Sequence, residues 1–87
     1  MQPGAESVRV ELKLLAAYRR YLPCETAGNS CIVEVPSGTP VIDLLASFDV
    51  PGKHDASVVL INGRDAAVDR VLEDGDVVTV FPAMAGG

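Results

Sequence analysis

Over residues 8–14 apolar and charged side chains alternate without a break, with Val8, Val10, Leu12 and Leu14 on one side and Arg9, Glu11 and Lys13 on the other. Period-two alternation marks a strand with one buried and one wet face. The segment 15–22, LAAYRRYL, loses that period and predicts a short helical turn or loop that Pro23 ends. Gly28, Asn29 and Ser30 supply turn chemistry. A second strand follows, with Cys31, Val33 and Val35 on one face and Glu34 on the other. Pro36, Ser37 and Gly38 break it. Thr39 is placed to cap the next helix and Pro40 to fill its first position, where a missing N–H costs nothing. Val41, Leu44, Leu45 and Phe48 then recur at i, i+3, i+4 and i+7, one apolar stripe on a short helix that Pro51 and Gly52 stop. So short a helix must be held by packing on a sheet.

Residues 57–61 contain the unbroken apolar run Val58, Val59, Leu60 and Ile61, the pattern of a buried or half-covered strand. Asn62-Gly63 is a strong turn signal. Residues 64–72 are weakly patterned, with a short edge strand near Ala67. Glu73-Asp74-Gly75-Asp76 reads as a second turn with its carboxylates in water. A last strand over 77–81 ends at Pro82, which removes a ladder donor. The first two strands pair as a hairpin, the helix crosses over one apolar face, and the last strand lies beside the first. The order predicts an α+β roll of the β-grasp kind: a mixed four- to five-stranded sheet with one main helix packed on one face. Residues 1–6 are expected to be a flexible N-terminus, 7–81 the folded domain and 82–87 a flexible Gly-Gly tail. The polar faces of the first two strands, with Arg9, Glu11, Lys13 and Glu34, remain open to a partner.

A chain of 87 residues and 9.1 kDa has room for one small core. It has no material left for a lid, a second domain and a substrate cleft, which argues against a self-contained enzyme. Charge is uneven. Arg9, Lys13, Arg19 and Arg20 outweigh Glu6 and Glu11 in the first twenty residues, whereas beyond them Lys53, Arg64 and Arg70 face ten carboxylates, and the net charge is −5. A phosphate backbone would be repelled by most of this surface, so no nucleic acid is expected and a basic protein partner fits better. No apolar run approaches the roughly eighteen residues of a membrane span, and the first residues lack the basic and apolar regions of a secretory leader. A cytoplasmic location is therefore expected, with Cys24 and Cys31 reduced. Two cysteines and His54 do not make a four-ligand metal set. His54 reads as a solvated loop residue, and Asp43, Asp49 and Asp55 are too dispersed to work as a pair. Gly75 sits in a turn rather than a phosphate-binding loop. Arg19 and Arg20 could hold an anion; the simpler reading is a solvated pair.

One stretch has nothing to pack on. After Phe81 and Pro82 the sequence reads Ala83-Met84-Ala85-Gly86-Gly87. Two residues without Cβ make the thinnest possible chain and adopt whatever φ/ψ a narrow channel imposes. The reactive group would be the α-carboxylate of Gly87. A carboxylate is a poor electrophile, but a second protein with ATP could convert it to an acyl-adenylate for attack by sulfur or nitrogen.

With these residues in view, the sequence resembles the ubiquitin-like sulfur carriers, the family of the molybdopterin synthase small subunit and the thiamine sulfur carriers. The likeness runs from about Val8 to Gly87. It rests on LEDGDVVTVFPAMAGG, on VEVPSGTPVIDLL at the start of the helix and on VLINGR after the third strand. The stalk departs from the molybdopterin branch, with Pro82-Ala83-Met84 where two prolines and a valine are usual. The resemblance implies that Gly87 is adenylated by a ubiquitin-activating-like adenylyltransferase and becomes a thiocarboxylate. Gly86 would keep the tail thin, while Phe81, Pro82, Ala83, Met84 and Ala85 would belong to the tail and the surface that docks the partner. It further implies that the sulfur passes to a large molybdopterin synthase subunit for dithiolene formation, or to another acceptor in thiamine, tRNA-thiolation, cysteine or tungsten-enzyme pathways. The chain would then be a sulfur donor and accessory subunit, not catalytic alone, with no cofactor bound directly and ATP held by the activating enzyme. A β-grasp interaction domain whose tail does no chemistry is the contrasting expectation.

Overall fold

A computed structural model describes residues 6–24, 28–51, 57–67 and 69–83. The alternating segments form strands β1 (Ser7–Leu14) and β2 (Ser30–Pro36), paired antiparallel with Arg9 opposite Glu34 and Lys13 opposite Ser30. Helix α1 (Val41–Ser47) carries the chain across to β3 (Ser57–Ile61), a two-residue β4 (Arg64–Asp65) follows, and β5 (Val77–Pro82) ends the sheet. The strand order is β2-β1-β5-β3-β4. β5 lies parallel to β1 and antiparallel to β3, so the first and last strands are neighbours as the sequence predicts. This mixed five-stranded sheet with one main helix is a β-grasp fold.

The core follows from the two periods. Val10, Leu12 and Leu14 from β1, Val33 and Val35 from β2, Val59 and Ile61 from β3, and Val78 and Val80 from β5 point to one side. Val41, Leu44 and Leu45 of α1 are buried with them, and Phe48 packs against the edge of the cluster. Burying each such aliphatic side chain contributes about 1.5–3 kcal/mol, which holds a helix of this length in place. Leu72 completes the core at 2% exposure. The segment 15–22 forms a 3-10 helix, Ala16–Tyr21, whose Tyr18 and Tyr21 pack against the same cluster. Asn62 and Gly63 take φ 55° and 83°, the paired left-handed conformation of a tight hairpin turn.

Four local expectations are corrected. Thr39 does not cap α1: its hydroxyl donates to the Pro36 carbonyl at 2.6 Å, and Pro40 occupies the cap itself in extended conformation. The edge strand forms at Arg64–Asp65 rather than near Ala67, because the Asn62-Gly63 turn folds these two residues directly back on Leu60 and Ile61. Cys24 and Cys31 are not a reduced pair. They are joined in a disulfide with Cα atoms 6.1 Å apart, which ties the bend after the 3-10 helix to the start of β2. The carboxylates of the Glu73–Asp76 turn do not all face water, since Asp76 is buried at 5% exposure. His54 and Asp55 lie outside the described residues.

Candidate functional site at the base of the tail

β5 delivers the chain out of the sheet. Its last residues are held on both sides. Pro82 pairs with Ser57 and Phe81 with Val58 across β3, and the Leu15 amide donates to the Val80 carbonyl at 3.1 Å from the β1 side. Beyond Leu14 the 3-10 helix takes over as the neighbour of β5, and the Tyr18 hydroxyl meets Ser57 Oγ at 2.8 Å. The tail therefore leaves from a fixed base between β3 and the 3-10 helix. Phe81 and Pro82 are half-buried there and Ala83 is exposed. Met84, Ala85, Gly86 and Gly87 lie outside the described residues.

Strand parity decides what surrounds the base. Val78 and Val80 face the core, so Val77, Thr79 and Phe81 face the other side of the sheet. Val58 and Leu60 share that outer face, and both are half-buried. Phe81 opposite Val58 and Thr79 opposite Leu60 make a small apolar patch at the root of the tail, with Lys13 beside Thr79 on the β1 side. Val58 and Leu60 were not among the docking residues expected from the sequence. Their signal was the unbroken apolar run of β3, which means that both faces of that strand carry apolar side chains.

At the opposite end of β5 a polar cluster fixes where the strand begins. Asp76 Oδ2 accepts from Arg70 Nη1 at 2.9 Å and from the Glu73 amide at 2.8 Å, while Oδ1 accepts from Asn62 Nδ2 at 2.9 Å. Asn62 Oδ1 in turn accepts from the Val77 amide at 2.9 Å. Burial pushes the Asp76 carboxyl upward, but hydrogen bonds from Arg70, Glu73 and Asn62, with the Arg70 charge, outweigh it and hold the carboxyl below its ordinary value. The bond to Asp76 raises Arg70 against the opposing effect of desolvation, so the pair is ionised throughout the neutral range. One carboxylate thus pins the β3–β4 turn, the segment before Leu72 and the first residue of β5 together. This cluster sets the register of the strand that bears the tail; it lies away from the tail itself.

Among the described residues no group of three or more His, Cys, Asp or Glu side chains is arranged to hold a metal ion, and no helix is long and apolar enough to cross a membrane. What the site offers is a rigid platform, an apolar patch and an outgoing chain.

Comparison with known proteins agrees with that geometry. The model of the ThiS family matches residues 13–87. Among solved structures, the chain is similar to a putative molybdopterin converting factor, subunit 1, from Pyrococcus furiosus, at 29% identity and TM-score 0.66 over 88% of this chain and 99% of that one. It is similar to the HVO 2177 protein of Haloferax volcanii at 27% identity and TM-score 0.73, covering 93% of this chain and 88% of that one. Small archaeal modifier protein SAMP1 of Haloferax volcanii matches at 26% identity and TM-score 0.67, over 91% of this chain and 99% of its own. No curated protein matches the chain.

Proposed function

The chain belongs to the ThiS family of ubiquitin-like sulfur carriers, and on that premise we propose that it carries sulfur as a thiocarboxylate on Gly87. The observation that carries this reading is the extent of the family match, which runs through β5 and the stalk to Gly86 and Gly87. The fold gives the physical division of labour. The described residues form one small packed domain that presents an apolar patch of Val58, Leu60 and Phe81 where β5 ends. The partner supplies ATP and the nucleophile. The Gly87 carboxylate attacks the α-phosphorus of ATP and releases pyrophosphate. A hydrosulfide ion then displaces AMP from the acyl-adenylate, the C–S bond forming as the C–O bond to AMP breaks, and loss of the thioacid proton leaves the terminal thiocarboxylate.

The acceptor is read more broadly than one pathway. The family model carries the name of the thiamine-type carriers, and the similar solved structures include both a molybdopterin converting factor and archaeal modifiers. The Pyrococcus furiosus relative and the proline-bearing stalk support a second reading, in which the chain is the small subunit of a molybdopterin synthase.

Intact mass spectrometry tests the proposal. The protein, with an untagged C-terminus, is incubated with host extract, ATP and a sulfur donor. The expected result is a mass gain equal to one oxygen replaced by sulfur, localised to Gly87. No gain, in an extract that thiolates a known carrier, overturns it and leaves the interaction-domain reading. Dithiolene formation with a large synthase subunit then decides the second reading.

A further inference from the structure

The fold sorts charge by end. β1 and β5 run parallel, so Lys13, late in β1, sits beside Thr79, near where β5 gives way to the tail. The 3-10 helix follows at once and carries Arg19 and Arg20 in its last turn, both exposed. None of these three side chains makes an ion pair with a described residue, and Arg20 lies over the Tyr21 ring at 5.8 Å. β3 and β5 are uncharged, and β2 begins with uncharged Ser30, Cys31, Ile32 and Val33. Carboxylates gather at the other end, with Glu73, Asp74 and Asp76 in the turn before β5 and Glu34 opposite Arg9, while Asp65 shares the row of Lys13 and Thr79 but sits on β4 at the far edge of the sheet.

Distance keeps the two poles apart. The Arg9 amide donates to Asp74, and Lys13 lies four residues further along the same strand, about 13 Å at 3.3 Å per residue. That exceeds the Debye length of about 8 Å at physiological salt, so the turn's carboxylates are largely screened at the base of the tail. Glu11 is the acidic residue nearest Lys13 on that strand, and Asp49 lies past the end of α1 in the layer covering the sheet's other face. Among the described residues of β1, the 3-10 helix and β5, Glu11 is the only carboxylate, and one carboxylate does not balance three cations.

We propose that Lys13, Arg19 and Arg20 form a basic collar at the base of the tail, which docks on an acidic rim around the channel of the protein that activates Gly87. The inference rests on the carrier reading above. The net charge of −5 favours a partner that is basic overall, but a local acidic rim on that partner repels this chain except where it leads with its basic end. The collar therefore selects the orientation that brings the tail in first. A nucleic acid fits poorly, since an extended polyanion would meet Glu11, Asp74 and Glu73 as well as the collar. A local rim at the mouth of a channel meets the collar alone.

ATP–pyrophosphate exchange by the purified activating enzyme of the same organism tests this, with carrier concentration and salt varied. The variants are Arg19→Glu, the double change Arg19→Glu with Arg20→Glu, and Arg64→Glu on β4. Arg64→Glu changes the net charge as much as Arg19→Glu does, but outside the collar. The double variant is expected to raise KM about tenfold at low ionic strength with kcat unchanged, a gap that closes as salt rises. Arg64→Glu is expected to stay near wild type. Because Arg20 stacks on Tyr21, Arg19→Glu alone guards against a folding effect, and it should move KM in the same direction with an unchanged melting temperature. Equal KM for Arg19→Glu and Arg64→Glu, with wild type activated, overturns the collar and leaves the carrier reading standing. No exchange with wild type removes both.

Discussion

Exchanging Asp76 for asparagine keeps the side chain's volume and removes its charge and one acceptor. Three donors converge on the carboxylate, two on Oδ2 from Arg70 and the Glu73 amide and one on Oδ1 from Asn62. With its single oxygen turned toward Arg70 and Glu73, an asparagine points its NH2 at the NH2 of Asn62. Asn62 cannot flip to accommodate it, because its own oxygen already accepts from the Val77 amide. With the amide reversed, NH2 meets a guanidinium and a backbone amide. Hydrogen bonds to a charged group contribute about 1.5–3 kcal/mol each, and a buried donor left unmatched costs about 1–3 kcal/mol. Arg70 is 34% exposed, so water takes over part of its loss. The expected destabilisation is about 2–4 kcal/mol. At about 4–8 °C per kcal/mol for a chain of this size, the melting temperature should fall by at least about 8 °C.

The pH dependence has a definite sign. The folded carboxyl titrates below its ordinary value of 3.8. Its contribution is therefore fully present above that value and is lost as pH falls from there through the lower folded value. Urea unfolding followed by far-UV circular dichroism should show a wide gap between wild type and Asp76→Asn at pH 7. The gap should close as the solution is acidified below 3.8. A gap under about 0.5 kcal/mol at pH 7, the range of an indifferent surface substitution, would refute the reasoning. So would a gap that does not change on acidification.

Leu44→Ala should cost about 2–5 kcal/mol in the same unfolding assay, because Leu44 is 1% exposed at the centre of the α1 stripe; a near-zero change would mean that the helix packs through another face. Gly86→Ala and Gly87→Ala should leave the melting temperature unchanged yet impair adenylation or sulfur transfer, and unimpaired transfer in both would refute the narrow-channel argument. The Cys24–Cys31 bridge should leave no thiol open to maleimide in the unreduced, denatured protein. Reducing it should lower stability by about 2.5 kcal/mol, the chain-entropy value for a loop this short. Two labelled thiols before reduction would show the pair to be open.

Periodicity made most of the architecture legible. Alternation fixed which faces of β1 and β2 are buried, the i, i+3, i+4 spacing fixed the face of α1, and Asn62-Gly63 fixed the turn after β3. These signals are local, since each depends on neighbours a few residues away meeting one apolar layer. The family membership was legible for a different reason, since the matched residues 13–87 include the motifs of β5 and the residues that follow it.

Tertiary structure decided what no short window encodes. Asp76 sits in a sequence, Glu73-Asp74-Gly75-Asp76, that reads as a solvated turn, and it is buried because Asn62 and Arg70, fourteen and six residues away, bring donors to it. Polar contacts of this kind have no period, so the sequence alone does not distinguish the one buried carboxylate from its exposed neighbours. The same holds for Cys24 and Cys31, which the fold of the intervening bend brings within bonding distance. It holds also for the tail's surroundings. Val58 and Leu60 join Phe81 because β3 pairs antiparallel with β5, and Lys13 comes beside Thr79 because β1 and β5 run parallel. The sequence by itself determined the fold. The surface against which the tail is presented exists only once the strands are paired, because side chains far apart in the chain must be brought to one face before they can act together.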